Sequence, residues 1–369
     1  MNYSCIGTRL KVLLPSTLFL IVIIPNLAGI ELPIRDSFHV GEAFAATVTI
    51  ATKPGSSPLT IHGAWDFIPA ILSRQLLGEQ GFMYPVIYLT QGILPVISAS
   101  IFLAFLFRLL KDVKGLATLV FLSIAAIAAP SLVGIRDLLL LMSCWSLYEF
   151  LNSTNKAYAI KSAAILVLAT SIGTIWSFDR GFVAIVTVTT ALIAAEYLSQ
   201  NGQNAVICML VIAGILVTVL IAYKTATIDY FGNIFFLTKT SSQWRYPLSL
   251  NTAAGSALAI IFVLCTLGAT QRGRRGLTNP GFAPFWLGMS VCSLMLARIG
   301  TNRPDLIHIS MAMWTPMVLS SYSYNAINNR EYLQNRTRLL MLAIVSSYAI
   351  LYFAVFPEKS VAILAVILS

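Results

Sequence analysis

Apolar runs of about 20 residues recur from one end of this chain to the other, separated by short polar clusters. A helix needs about 20 such residues to cross a bilayer, so the runs predict a polytopic membrane protein. The composition agrees, because 57% of the 369 residues are hydrophobic, 10% are charged and mean hydropathy is +0.82. Soluble domains carry about 25% charged residues, so a soluble enzyme is excluded.

The runs predict an all-α fold of about 11 transmembrane helices in a single transmembrane domain over residues 1–369. The predicted spans cover approximately residues 12–30, 84–107, 115–133, 138–154, 162–177, 181–199, 205–223, 251–269, 281–299, 305–324 and 339–356. The apolar tail, residues 360–369, is too short to cross a bilayer. The first span is expected to be retained, because no clear cleavage site follows it.

Lysine and arginine collect in the turns on one side of this plan, and such turns face the cytoplasm. With the N-terminus inside, the inner turns hold Arg9, Lys11, Arg108, Lys111, Lys114, Lys156, Lys161, Arg272, Arg274, Arg275, Arg330, Arg336 and Arg338. The net charge of +10 therefore indicates cytoplasmic anchoring and contact with anionic membrane lipids. Nucleic acid is not an expected partner, because the sequence has no aromatic-basic RNA motif.

Two long segments fall on the outer side of this plan. The first outer loop, residues 31–83, mixes aromatic and polar residues, as expected for short helices along the membrane surface. The second outer loop, residues 224–250, combines aromatic residues with lysine and arginine. That combination suits lipid head groups, although it is equally typical of an ordinary aromatic belt.

All three histidines lie in polar clusters on the predicted outer face. Each has a carboxylate three or four residues away, and that spacing places two side chains on one helical face. In the first such cluster, Asp36, His39 and Glu42 fall within an arc of roughly 120°. The arc can ligate a divalent ion, supply a general base oriented by a histidine, or form an ordinary solvated face. Asp36 is the better base candidate because it lies closest to the end of the first span.

The second cluster is the pair His62 and Asp66, which lie four residues apart. Gly63, between them, leaves space for the close approach of another chain or a ligand. The pair is therefore a candidate part of a binding site. The alternative is a structural hydrogen bond between the two side chains.

The third cluster surrounds the predicted outer end of a late helix, where Asp305 and His308 share one face. Arg298 and Arg303 flank that helix end. A helix N-terminus with arginines beside it is a natural phosphate site. The alternative is an Arg–Asp pair that ties two helices together.

The fourth cluster is Asp179 and Arg180, in a tight outer turn that Gly181 allows to bend. The two charges form a local ion pair or line a cavity. The N-in plan places all four clusters on the same side of the membrane, whereas independent scatter would divide them. We therefore predict one outward-facing polar cavity that contains carboxylates, imidazoles and arginines.

This arrangement resembles the GT-C class of membrane glycosyltransferases, which take a sugar from a polyprenyl-phosphate carrier. The likeness covers the N-in first span and a large first outer loop that opens with an acidic motif. Bacterial GT-C-like proteins carry Asp-x-x-His-x-Gly-Glu after the first span and a late Arg-x-Asp-x-x-His. The matching residues are Asp36, His39, Gly41 and Glu42, and then Arg303, Asp305 and His308. The paired Asp-x-Asp of many members is absent from this sequence.

The resemblance implies an inverting sugar transfer at the periplasmic face of a bacterial inner membrane. Asp36 would take the proton of an acceptor hydroxyl, supplied by a lipid-linked or glycan acceptor. The leaving polyprenyl phosphate would be stabilised by Arg298, Arg303, His308 and Arg180. The acceptor or a divalent ion would be held by His39, Glu42, His62, Asp66, Asp305 and Asp179. If that ion is Mg²⁺ or Mn²⁺, its candidate ligands are Asp36, His39 and Glu42.

Three other functions remain open. A glycan polymerase or ligase would use the same donors, but such proteins tend to place their large outer loop late in the chain. A transporter or flippase for a lipid-linked or anionic solute would carry ionisable residues in mid-membrane. Here mid-span charges are few, and Glu149 and Glu196 lie near inner ends. A non-catalytic assembly subunit would tolerate substitution of its outer carboxylates.

Overall fold

The computed structural model describes residues 3–27, 63, 93–113, 115–199, 202–224, 230–241, 249–250, 252–258, 260–261, 282–301, 309–326, 342, 346 and 349–350. Every regular element within these ranges is helical, which confirms the all-α prediction for them. The helices are α1 (Tyr3–Leu27), α2 (Leu94–Leu109), α3 (Leu116–Leu132), α4 (Leu138–Asn152), α5 (Lys156–Trp176), α6 (Phe178–Ser199), α7 (Gln203–Lys224), α8 (Tyr230–Ser241), α9 (Ala283–Thr301) and α10 (Trp314–Ala326).

Four of the described helices are long and apolar enough to cross a membrane, namely α5, α6, α7 and Ala283–Gly300 of α9. A fifth is added when Leu116–Pro130 and Ile135–Asn152 are counted together as one broken span. These helices are consistent with an integral membrane protein. They overlap the predicted spans 162–177, 181–199, 205–223 and 281–299, whereas the total of about 11 spans is not confirmed.

Contacts divide the chain into two compact units. Unit 1 comprises Met1–Ala28, Ala99–Gly134 and Arg245–Ser369, and unit 2 comprises Gly29–Ser98 and Ile135–Trp244. Each unit therefore draws on segments that are distant in sequence. The single transmembrane domain over 1–369 stays a prediction.

Four aromatic side chains pack together in the described part of unit 1. The ring of Phe282 stacks on Tyr322 with centroids 4.7 Å apart, and the ring of Phe285 meets Tyr322 edge-on at the same separation. Phe285 also meets Phe105 of α2, at 6.3 Å. The Tyr322 hydroxyl donates a hydrogen bond to the Phe282 carbonyl oxygen at 3.3 Å. Because a buried phenol needs such a partner, the bond holds α10 against the start of α9.

A buried lysine joins α1 to the turn that follows α2. The Lys11 ammonium donates hydrogen bonds to the carbonyl oxygens of Leu110, of Lys111 at 3.1 Å and of Val113 at 2.9 Å. Carbonyl groups at a helix C-terminus lack partners within the helix, and a cation there is favourable. The contact places Lys11 beside the backbone of Lys111, and the inner location of both residues stays a prediction.

Small residues allow the helices of unit 2 to approach closely. A Cβ added at Gly214 of α7 would lie 2.3 Å from Ser171 Oγ of α5. The Thr170 hydroxyl bonds to Ser143 of α4 at 3.1 Å. Small residues at contacts are typical of helix packing in membranes. The opposite face of α7 is apolar and exposed, with Val206, Met209, Leu210, Ile212, Leu216, Val217, Leu220, Ile221 and Tyr223 on it.

Candidate functional site: a charge network between two turns of unit 2

Two short turns meet in unit 2. One is the 3₁₀ turn Ile135–Asp137 immediately before α4, and the other is the break between α5 and α6. At that break, Ser177 has extended backbone with φ −148° and ψ 113°. The Trp176 indole Nε1 donates a hydrogen bond to the Ile135 carbonyl oxygen at 3.0 Å, which joins the two turns. Both turns lie on the predicted outer side.

Gly181 has a packing role in the second turn that differs from the predicted one. A Cβ at Gly181 would lie 2.5 Å from the carbonyl oxygen of Gly173 and 2.5 Å from Thr174 Cα. The glycine therefore lets the first turn of α6 lie directly against the backbone of α5. The sequence indicated only that Gly181 permits a bend, because the identity of the opposing backbone is set by tertiary packing.

Four charged side chains and one hydroxyl link the two turns, and we call Arg136, Asp137, Ser177, Asp179 and Arg180 the charge network. Arg180 Nε donates to Asp137 Oδ1 at 2.6 Å, and Arg180 Nη1 to Asp179 Oδ2 at 3.1 Å. Arg136 Nη2 also bonds to Asp179 Oδ2. The Ser177 hydroxyl donates to Asp179 Oδ1 at 2.7 Å. The adjacent Asp179–Arg180 ion pair is thus part of a larger arrangement.

The charge network has a buried end and a partly exposed end. The side chains of Asp137 and Arg180 are 0% and 6% exposed, whereas those of Arg136 and Asp179 are 18% and 22% exposed. Burial of a charge is costly unless a partner compensates it, and here two arginines are balanced by two aspartates. The buried end therefore fixes the turns, while the exposed end can meet a polar ligand.

Gly63 belongs to the predicted first outer loop and contacts the end of α5. It is buried, and its φ of +132° lies in a region that favours glycine. A Cβ at this position would lie 2.4 Å from the carbonyl oxygen of Trp176 and 2.8 Å from that of Ile175. A segment of this same chain therefore lies close to Gly63. Its neighbour across the contact is the residue before Ser177 of the charge network.

These contacts bring together parts of three segments that the N-in plan places on one side. They are the first outer loop through Gly63, the turn before α4, and the turn between α5 and α6. That the three segments share one membrane face stays a prediction.

The structure describes only three of the predicted site residues. Asp179 and Arg180 lie in the charge network, and Arg298 lies exposed in the last turn of α9, in unit 1. The others lie outside the described residues: Asp36, His39, Glu42, His62, Asp66, Arg303, Asp305 and His308. No group of three or more His, Cys, Asp or Glu residues in the described ranges is placed to hold a metal ion.

Arg136 and Asp137 are the network members that the sequence interpretation did not single out. A signal for them exists, because an Arg-Asp dipeptide stands between the predicted spans 115–133 and 138–154. The order is the reverse of the Asp-Arg dipeptide at 179–180, and both dipeptides fall in predicted outer turns. Two mixed-sign turns on one face are a pattern that predicts pairing across helices.

Comparison with protein-family models, with curated proteins and with solved structures finds no match to this chain. No relative therefore assigns a role to a residue of the charge network.

Proposed function

We propose that this protein is a GT-C-like membrane glycosyltransferase that moves a sugar from a polyprenyl-phosphate carrier to an acceptor hydroxyl. The reaction would take place at the periplasmic face of a bacterial inner membrane. The observation that carries the proposal is the contact of Gly63, in the predicted first outer loop, with the end of α5, next to Ser177 of the charge network. This contact supports a polar surface on one side of the helices, where a lipid-linked donor can present its sugar.

In the proposed reaction, the Asp36 carboxylate accepts the proton of the acceptor hydroxyl while that oxygen attacks the anomeric carbon. The bond between the anomeric carbon and the phosphate oxygen breaks, and polyprenyl phosphate leaves with the electron pair. The attack from the opposite face inverts the anomeric configuration. His39, Glu42, His62, Asp66, Asp305 and Asp179 are the proposed residues for holding the acceptor or an Mg²⁺ or Mn²⁺ ion.

The departing phosphate needs cationic partners in the transition state. Arg298, Arg303 and His308 are the proposed direct partners. Arg180 was included with them by the resemblance, but its guanidinium already contacts Asp137 and Asp179 and its side chain is 6% exposed. In this proposal Arg180 therefore supports the site by ordering the turn.

A transporter or flippase remains the alternative from another class, and the positions of the charges in unit 2 distinguish it. Within α4–α7, charged side chains stand towards the helix ends, as Asp179 and Arg180 do at the start of α6 and Lys224 at the end of α7. A solute pathway would need polar groups near the middle of the membrane. The charge positions therefore favour chemistry at a membrane face. A glycan polymerase or ligase would share that chemistry.

Turnover by purified protein in nanodiscs tests the proposal. A panel of polyprenyl-phosphate sugars is offered with hydroxyl acceptors, with and without divalent metal, and released polyprenyl phosphate is followed by mass spectrometry. We expect release together with a new glycosidic product. Movement of the lipid-linked sugar across reconstituted vesicles without any covalent product would instead favour the transporter.

A further inference from the structure

The end of α7 carries residues that are typical of a membrane surface. The 22 residues of α7 make it about 33 Å long, close to the roughly 30 Å of the hydrocarbon core of a bilayer. Its exposed apolar side chains continue through Leu220 and Ile221 to Tyr223, and an exposed Lys224 is its last residue. Tyrosine is enriched at the membrane–water boundary, and a lysine there extends its ammonium to the head groups.

α7 runs towards the side of unit 2 on which the charge network lies. Its start is tied to the far end of α6, because Asn204 Nδ2 donates a hydrogen bond to Ser199 Oγ at 3.2 Å. Gly214, in the middle of α7, packs against Ser171, close to the α5 end that precedes Ser177. The last turn of α7 therefore lies on the charge-network side of unit 2.

α8 follows α7 closely and is too short to be a further span. Residues 225–229 join the two helices, and so few residues reach at most about 20 Å. α8 has 12 residues and a length of about 18 Å, against about 30 Å for the hydrocarbon core. α8 therefore begins close to the boundary at which α7 ends.

The exposed face of α8 is apolar and ends in a basic residue. Phe231 and Phe235 are 66% and 70% exposed, and Phe236 is 37% exposed. Lys239, in the last turn, is exposed as well. Phe231, Phe235 and Lys239 follow one another at four-residue spacing, which places them along one side of the helix. Because each phenylalanine gains free energy when it leaves water, this face needs an apolar partner.

We propose that α8 is an interfacial helix that lies along a phospholipid surface on the charge-network side, with Phe231 and Phe235 among the acyl chains and Lys239 at the lipid phosphates. Helices of this kind combine burial of an apolar face with attraction between basic side chains and head groups. No acidic residue in α8 opposes that attraction. Continuity with the exposed apolar surface of α7 favours lipid over a second copy of this chain. The inference does not depend on the proposed sugar transfer.

Nitroxide depth measurements on the full-length protein in phospholipid nanodiscs test the proposal. Native cysteines are replaced by serine, and single labels are placed at Phe231→Cys, at Phe235→Cys and at the control Thr240→Cys. Thr240 is half-buried and lies about 140° around the helix from Phe235. Relaxation by oxygen and by a water-soluble nickel complex reports the depth of each label. The two phenylalanine positions are labelled in separate proteins, so either one decides the outcome if the other is not recovered folded.

The labels at positions 231 and 235 are expected about 5–10 Å below the lipid phosphates, and the label at position 240 at a shallower level. Nickel access at 231 and 235 equal to that at 240 would place α8 in water and overturn the proposal. A depth near the middle of the bilayer, about 15 Å, would also overturn it, because α8 would then be part of a span. A short, defined distance between two labels at position 235 in discs that hold two proteins would identify a second copy as the occupant instead.

The contact of Lys239 with the phosphates has a test of its own, read from the label at position 235. Lys239→Glu is expected to make that label shallower and more accessible to nickel, because a carboxylate is repelled by the phosphates. Lys239→Arg is the matched control and is expected to retain the original depth. An unchanged depth in Lys239→Glu would contradict the contact between Lys239 and the lipid phosphates.

Discussion

Arg180 donates a hydrogen bond from Nε to Oδ1 of Asp137 at 2.6 Å, across 43 residues of sequence. The carboxylate is completely buried and the guanidinium nearly so. An isolated ion in such surroundings is expensive, so each group depends on the other. The pair therefore explains how two turns from different helical connections keep a fixed relationship in unit 2.

Asp137→Asn is expected to destabilise the protein by about 3 kcal/mol, because it leaves the buried Arg180 charge only partly compensated by Asp179. Thermal unfolding in detergent measures the effect. The matched control is Asp112→Asn, which removes an exposed carboxylate that lies 3.8 Å from Lys111. Exposed pairs contribute about 0–1 kcal/mol, so the control is expected to unfold close to wild type. Equally small losses of stability in both variants would contradict a stabilising role for the buried Asp137–Arg180 ion pair.

Lys11→Met is expected to destabilise unit 1 by about 1–3 kcal/mol, because it retains the apolar stem and removes the donor for the carbonyl groups after α2. Chemical unfolding in detergent measures it. Lys111→Met serves as the control, since that side chain is 57% exposed. Stability of Lys11→Met at the level of this control would show that the carbonyl groups do not need the ammonium.

The exposed face of α7 is expected to contact lipid. Large apolar side chains cover it, and such a surface is tolerated where the solvent is hydrocarbon. A nitroxide at Leu216→Cys, in a protein whose native cysteines are replaced by serine, is expected to be relaxed by oxygen and shielded from a water-soluble nickel complex. A nitroxide at Gln203→Cys, at the start of α7, is expected to show greater access to nickel. Strong nickel access at position 216 would contradict a membrane-spanning α7.

The helices of unit 2 could be predicted well from sequence because their hydrophobic runs are long and their polar breaks are short. Span 181–199 corresponds to α6, Phe178–Ser199, and span 205–223 corresponds to α7, Gln203–Lys224. The boundaries differ because polar residues such as Asp179 and Arg180 continue the helix when partners on another turn compensate them. Hydropathy alone assigns such residues to a loop.

The candidate site was harder to predict because the residues that contact each other in it are distant in sequence. The Asp179–Arg180 pair was expected from adjacent residues, whereas the contact of Arg180 with Asp137 depends on how α4, α5 and α6 pack. Gly63 shows the opposite case. Its identity alone predicted a close approach, but only the structure identifies the Trp176 carbonyl oxygen as the neighbour.

The role of Asp36 as general base is the central chemical claim, and transfer by Asp36→Asn measures it most directly. Wild type, Asp36→Asn and Asp112→Asn are compared as purified proteins in nanodiscs with one active donor and acceptor pair. Loss of a general base costs about 10²–10⁴-fold in rate, so Asp36→Asn is expected to release polyprenyl phosphate at least about 100-fold more slowly, while Asp112→Asn matches wild type. Release by Asp36→Asn at the wild-type rate would contradict the proposed mechanism.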